Sequence, residues 1–99
     1  MIRHELEKLG VGTKQEFTGK YKKHGKNYRL NGITYTDVCI EDLTYNEKYI
    51  TDHVWIDRIP LFIVREMKKG DKVSVHSTIK SYGENGVETS LHGGSIKKL

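Results

Sequence analysis

Cysteine is nearly absent from this sequence. Cys39 is the only one in 99 residues, so no intramolecular disulfide can form, and a reducing compartment, the cytoplasm, is the expected home. Proline is as scarce: Pro60 stands alone, and no Ser/Gly-rich run offers a linker on which to divide the chain. No apolar run approaches the roughly 20 residues that cross a bilayer. The opening MIRHELEKLG carries Glu5 and Glu7 where a signal peptide has its apolar segment, so neither membrane association nor export is expected. Repeats and low-complexity segments are also missing.

What remains is a short, polar, varied chain. Hydrophobic residues make up 35% and charged residues 30%, which bounds the expectation to one domain, residues 1–99, with a thin core. A small barrel meets that limit, because each strand sends only alternate residues inward. The net charge of +4 hides a segregation. Residues 12–32 carry six Lys/Arg against one acid, residues 33–57 one Lys against six acids, and residues 58–82 six Lys/Arg against two acids. Local patches of this kind choose partners more than the total does.

The hydrophobic period predicts the elements. Ile2, Leu6 and Leu9 have helical spacing, ended by Gly10 and Gly12. From Lys14 the period becomes two, with Phe17, Gly19 and Tyr21 on one face. Gly19 in mid-strand suggests a bend that lets one strand serve two sheets. His24-Gly25 and Asn31-Gly32 read as turns. A second strand is expected at about 33–43, with Val38 and Ile40 opposed to Tyr35, Asp37, Cys39 and Glu41. Tyr45-Asn46-Glu47 turns into a third strand at about 48–57, carrying Ile50, Val54 and Ile56 on one face and Tyr49, Thr51, His53 and Trp55 on the other. Pro60, Leu61, Val64 and Met67 then suit a short helix or turn over about 60–68, stopped by Lys68-Lys69-Gly70. A fourth strand (about 71–82) holds Val73, Val75 and Ile79. The turn at 83–86 leads to a fifth near 87–99, interrupted at Gly93-Gly94.

Strand, strand, strand, short helix, strand, strand is the order of an all-β, five-stranded antiparallel Greek-key barrel, the OB-fold, here with a short N-terminal helix. An SH3-like barrel competes but lacks the helical segment between its third and fourth strands. The expected core is Phe17, Val38, Ile40, Val54, Ile56, Val73, Val75 and Ile79.

Two segments carry a resemblance. Thr51-Asp52-His53-Val54-Trp55-Ile56 is followed by Lys69-Gly70-Asp71-Lys72-Val73-Ser74-Val75 and Ile79-Lys80-Ser81-Tyr82. This pair of strands resembles small OB-fold-like proteins of Gram-positive bacteria, their phages and mobile elements, over about the second half of the chain. Ile56 and His76 stand where aromatics are common in that group. The resemblance implies OB architecture and brings no activity with it.

Residues 19–32, GKYKKHGKNYRLNG, are the strongest functional candidate. Lys20, Lys22, Lys23, Lys26 and Arg29 alternate with Tyr21, His24 and Tyr28, and no acid intervenes. Cations neutralise phosphates, and aromatic faces stack on bases without demanding a sequence. In an OB-fold this segment is the first hairpin loop, and Lys80 and Tyr82 lie near the last one. The expected activity is therefore sequence-tolerant binding of single-stranded nucleic acid, DNA or RNA. The plainer reading is a solvated hairpin whose lysines protect an edge. The outward strip Tyr35, Cys39, Tyr49, His53 and Trp55 is a second candidate, but the sole Trp of a small domain is expected in the core.

The acids of the second hairpin, Asp37, Glu41, Asp42, Glu47, Asp52 and Asp57, support an alternative. They would suit a protein–protein interaction module, or an inhibitor encoded by a phage or mobile element that holds a basic partner. Ordinary solvated charge is the simpler account of them. Five scattered histidines and one cysteine have no metal-ligand spacing. Neither a catalytic constellation nor a phosphate-cradling loop stands out, so no metal, no cofactor and no enzymatic role are expected.

Overall fold

The computed structural model describes residues 4–82 and 88–99, with side chains over 5–81 and 89–99. The expected turn at 83–86, the side chain of Tyr82, and Ile2 of the N-terminal helix lie outside the described residues. A single helical turn, α1 (His4–Glu7), precedes β1 (Lys14–Leu30), β2 (Ile33–Tyr45) and β3 (Lys48–Pro60). A second helical turn, α2 (Leu61–Val64), leads to β4 (Lys72–Tyr82) and β5 (Glu88–Lys98). No helix among the described residues is long and apolar enough to cross a membrane.

The strands hydrogen-bond in the order β1-β2-β3-β5-β4 and close into a barrel. Closure depends on β1 belonging to two neighbours. Its first half, Lys14 to Lys20, pairs with β4, and from Thr18 onward it pairs with β2. Gly19 marks the crossing. A Cβ there would stand 2.6 Å from Cγ2 of Ile40 and 2.9 Å from the carbonyl oxygen of Glu41, so only a residue without a side chain lets the two backbones approach.

An all-antiparallel sheet was the expectation, and one seam corrects it. β3 and β5 run parallel, with Ile56 opposite Leu91 and Asp57 opposite His92. The reason is topological. After β3 the chain passes through α2 and β4 before returning, so β5 arrives beside β3 pointing the same way. Alternating polarity in sequence does not reveal which edges meet.

The core follows the period of two. Phe17, Val38, Ile40, Val54, Ile56, Val73, Val75 and Ile79 are each at most 1% exposed, and Leu43, Ile59 and Leu91 join them. Leu6 of α1 and Val64 of α2 belong to the same cluster. Pro60, at φ −56° and ψ 131°, ends β3 and opens α2 without donating an N–H. Two tight turns set the registers: Asn31 and Gly32 (φ 50° and 82°), and Asn46 and Glu47 (φ 48° and 66°). Left-handed pairs of this kind match the twist of the flanking strands. The interruption expected at Gly93-Gly94 is a register shift against β4, where the ladder passes from His76 opposite Ser95 to Thr78 opposite His92, and β5 continues through it. At Gly94 a Cβ would fall 1.8 Å from the carbonyl oxygen of His76, which makes it a point of backbone contact between β4 and β5.

Candidate functional site

The basic segment is not a loop. Residues 19–30 are strand, and only Asn31-Gly32 turns. His24-Gly25, read from sequence as a turn, lies at a bulge instead. Of the three irregularities in the pairing of β1 with β2, two add a residue to β1, one between Tyr21 and Lys23 and one between His24 and Asn27. Bulges re-aim side chains, and here that decides the site.

Lys22 is the extra residue of the first bulge. Tyr21 faces Ile40, and Lys23, not Lys22, stands opposite Cys39. Cys39 in turn faces Trp55 on β3. A row of Lys23, Cys39 and Trp55 therefore crosses three strands on the outer face, and Lys23 Nζ sits 5.9 Å from the centre of the Trp55 ring. At that range the ammonium is drawn to the ring face. The second bulge places Gly25 beside Trp55, where a Cβ would lie 3.9 Å from the indole. At this bulge the Gly25 carbonyl accepts the buried hydroxyl of Thr36 at 3.1 Å and lies 2.9 Å from Nδ1 of His24, so the break in the ladder leaves it satisfied.

Further along the hairpin Tyr28 faces Tyr35, with ring centres 6.2 Å apart and planes 29° from parallel. The Tyr28 hydroxyl donates to Asp37 Oδ1 at 3.1 Å and accepts the Arg58 backbone N–H at 3.0 Å. Burial raises the pKa of Tyr28, and the carboxylates of Asp37 and Asp57 add to this, while the Arg58 N–H opposes it. Tyr28 stays a protonated donor at neutral pH. Leu30 and Ile33, 39% and 47% exposed, close the strip at the hairpin tip.

These positions correct several expectations. Tyr21, named as a stacking residue, is 4% exposed and part of the core, and burial raises its pKa. Trp55, expected in the core, is 36% exposed at the middle of the outer face, whereas Cys39, expected outside, is 2% exposed. Sequence alternation placed both residues on one side of the sheet correctly. What it could not give was that the large indole and Lys23 flank the small thiol and shield it. Lys20 lies 3.9 Å from Asp42, and Lys80 is ion-paired with Asp57. Arg29 donates to the Gly32 carbonyl at 3.1 Å. Exposed Lys26 and half-buried Lys22 have no ion pair among the described residues. The side chain of Tyr82 lies outside them.

The acids are similarly engaged. Asp57 contacts both Lys80 and His92. His53 Nδ1 lies 3.0 Å from Asp52. Partial desolvation would raise the pKa of Asp52, but its contacts with His53 outweigh this and lower it. Beside Trp55 a small hollow of about 190 Å³ is lined by Asp37, Trp55, Asp57, Lys80 and Ser90. The Ser90 hydroxyl donates to the Trp55 carbonyl at 2.5 Å, tying β5 to β3 beneath it. Larger hollows of about 550 and 510 Å³ lie elsewhere and have no exposed aromatic ring in their walls.

No known family, curated protein or solved structure matches this chain. Its chemistry must be read from the face itself. Among the described residues no three His, Cys, Asp or Glu side chains converge as metal ligands. The outer face instead offers an indole under a lysine ammonium, a stacked tyrosine pair, an apolar tip, and lysines with no ion pair among the described residues. That combination favours a flat, π-faced, anionic ligand.

Proposed function

We propose that the barrel is of the OB type and binds single-stranded nucleic acid, DNA or RNA, across the outer face of β1, β2 and β3. Support for the fold type is the closed order β1-β2-β3-β5-β4 with its β3–β5 parallel seam and a helical turn between β3 and β4. The observation that carries the function is Trp55, exposed at the centre of that face with Lys23 above its ring. A base stacks on the indole, Lys23 swings from the ring to the adjoining phosphate, and Lys22 and Lys26 follow the backbone along the hairpin. Stacking is sequence-tolerant because every base has a π-face, and each stacked base contributes about 1–3 kcal/mol.

A protein partner on the acidic hairpin is the other reading. It is the weaker one, because Asp42, Asp52 and Asp57 already lie against basic side chains within the chain. Trp55 is the only tryptophan, so its emission reports on the site directly. Titration with short oligothymidylate and oligouridylate at low salt should quench it saturably. Unchanged emission, together with no change in anisotropy of a labelled oligonucleotide, would refute the reading and turn attention to the acidic hairpin.

A further inference from the structure

We infer that the hollow beside Trp55 is a base subsite selective for guanine. This rests on the nucleic-acid reading above and gives it a ligand preference that stacking alone does not supply.

The hollow of about 190 Å³ is smaller than the roughly 300–1,000 Å³ that drug-sized ligands occupy, which suits a single heterocycle. Trp55 forms one wall, and a base stacked on its ring presents an edge to the others. On those walls stand two carboxylates that differ in state. Asp57 is ion-paired with Lys80 and also contacts His92. Among the described residues Asp37 has no cation within ion-pairing distance, and its one side-chain bond is the hydrogen bond it accepts from Tyr28. A half-buried carboxylate without a counter-charge is an acceptor in search of donors.

It is also a fixed one. The Tyr28 hydroxyl holds Asp37 Oδ1, the Arg58 N–H holds Tyr28, and Tyr35 stacks on the Tyr28 ring. Each carboxylate oxygen has two acceptor sites, so both oxygens of Asp37 can still receive a proton donor. Two parallel N–H bonds to one carboxylate form the strong fork seen with arginine. Among the bases, guanine alone presents two adjacent donors, N1–H and N2–H, on its Watson–Crick edge. Cytosine and adenine each set one amino donor beside a ring-nitrogen acceptor. Thymine and uracil set carbonyl oxygens on both sides of a single N–H, which would face the carboxylate with like charge. The guanine O6, next to N1, would point along the wall that bears Lys80.

The test uses the unaltered protein with an oligothymidylate, the same strand carrying one central guanine, and the same strand with that guanine replaced by inosine, which lacks the N2 amine. A bidentate contact predicts that the guanine strand binds at least about fivefold tighter than the all-thymine strand, and that inosine loses most of the gain. Asp37→Asn should abolish the preference for the guanine strand over the all-thymine strand, with a urea midpoint near that of the parent protein, since the asparagine carbonyl still accepts the Tyr28 hydroxyl. Equal affinities for guanine and thymine strands within about twofold, or a preference that survives either inosine or Asp37→Asn, would overturn the subsite while the nucleic-acid reading stands. If none of the three strands binds, that reading fails and the subsite fails with it.

Discussion

Reversing Lys22, Lys23 and Lys26 to Glu isolates the electrostatic part of binding. The structure fixes how many cations to count. Lys20 is close to Asp42, Lys80 is held by Asp57, and Arg29 bonds the Gly32 carbonyl, so their charge is partly committed before any ligand arrives. Lys23 has only the indole beneath it, and Lys22 and Lys26 have no ion pair among the described residues. Three phosphate contacts on a single strand, at about 0.7 released counterions each, give a slope of log affinity against log salt near −2. A fourfold rise in salt should then weaken binding by roughly twentyfold. Anisotropy of a labelled oligonucleotide at several salt concentrations measures this. The triple variant should lose most of the slope along with most of the affinity, and its urea midpoint should hold near that of the parent protein. A slope that stays steep in the triple variant would mean that the phosphates are bound elsewhere and that β1 is a solvated edge.

The remaining expectations concern stacking, packing and pH. Trp55→Ala should weaken oligonucleotide binding by about 1–3 kcal/mol while leaving the salt slope intact, because stacking releases no counterions. An unchanged affinity would remove Trp55 from the site. Val75, fully buried between Phe17 and Ile96 in the ladder, should lose about 1–3 kcal/mol of stability on replacement by Ala, read from urea unfolding. A loss below about 0.5 kcal/mol would be that of a surface position. The Lys68 backbone N–H lowers the pKa of Asp71, and Lys48 and Lys8 lower that of Glu5. Both groups then hold fewer protons folded than unfolded, so their contribution is present above the ordinary carboxylate pKa near 4 and is lost as pH falls below it. Thermal melts should show a loss on acidification that is smaller in the Asp71→Asn variant. Equal acid sensitivity in the two proteins would show that Asp71 makes no such contribution.

The amino-acid pattern alone determined which residues are inside. Alternation of Phe17, Val38, Ile40, Val54, Ile56, Val73, Val75 and Ile79 with polar neighbours requires strands with one buried face, and these eight residues line the core. Asn31-Gly32 and Asn46-Glu47 likewise declared their turns, because few residues tolerate left-handed backbone. Tertiary structure decided what the sequence does not encode locally. The parallel seam depends on which edge β5 meets after α2 and β4, a matter of chain path and not of period. The bulge at Lys22 brings Lys23 onto the outer face opposite Cys39, since one inserted residue inverts the alternation beyond it. Trp55 is outside and Cys39 buried although both have outward parity, because shielding on a sheet surface depends on the size of the cross-strand neighbour. The candidate face is shaped by these departures, which alternation along residues 19–32 does not show.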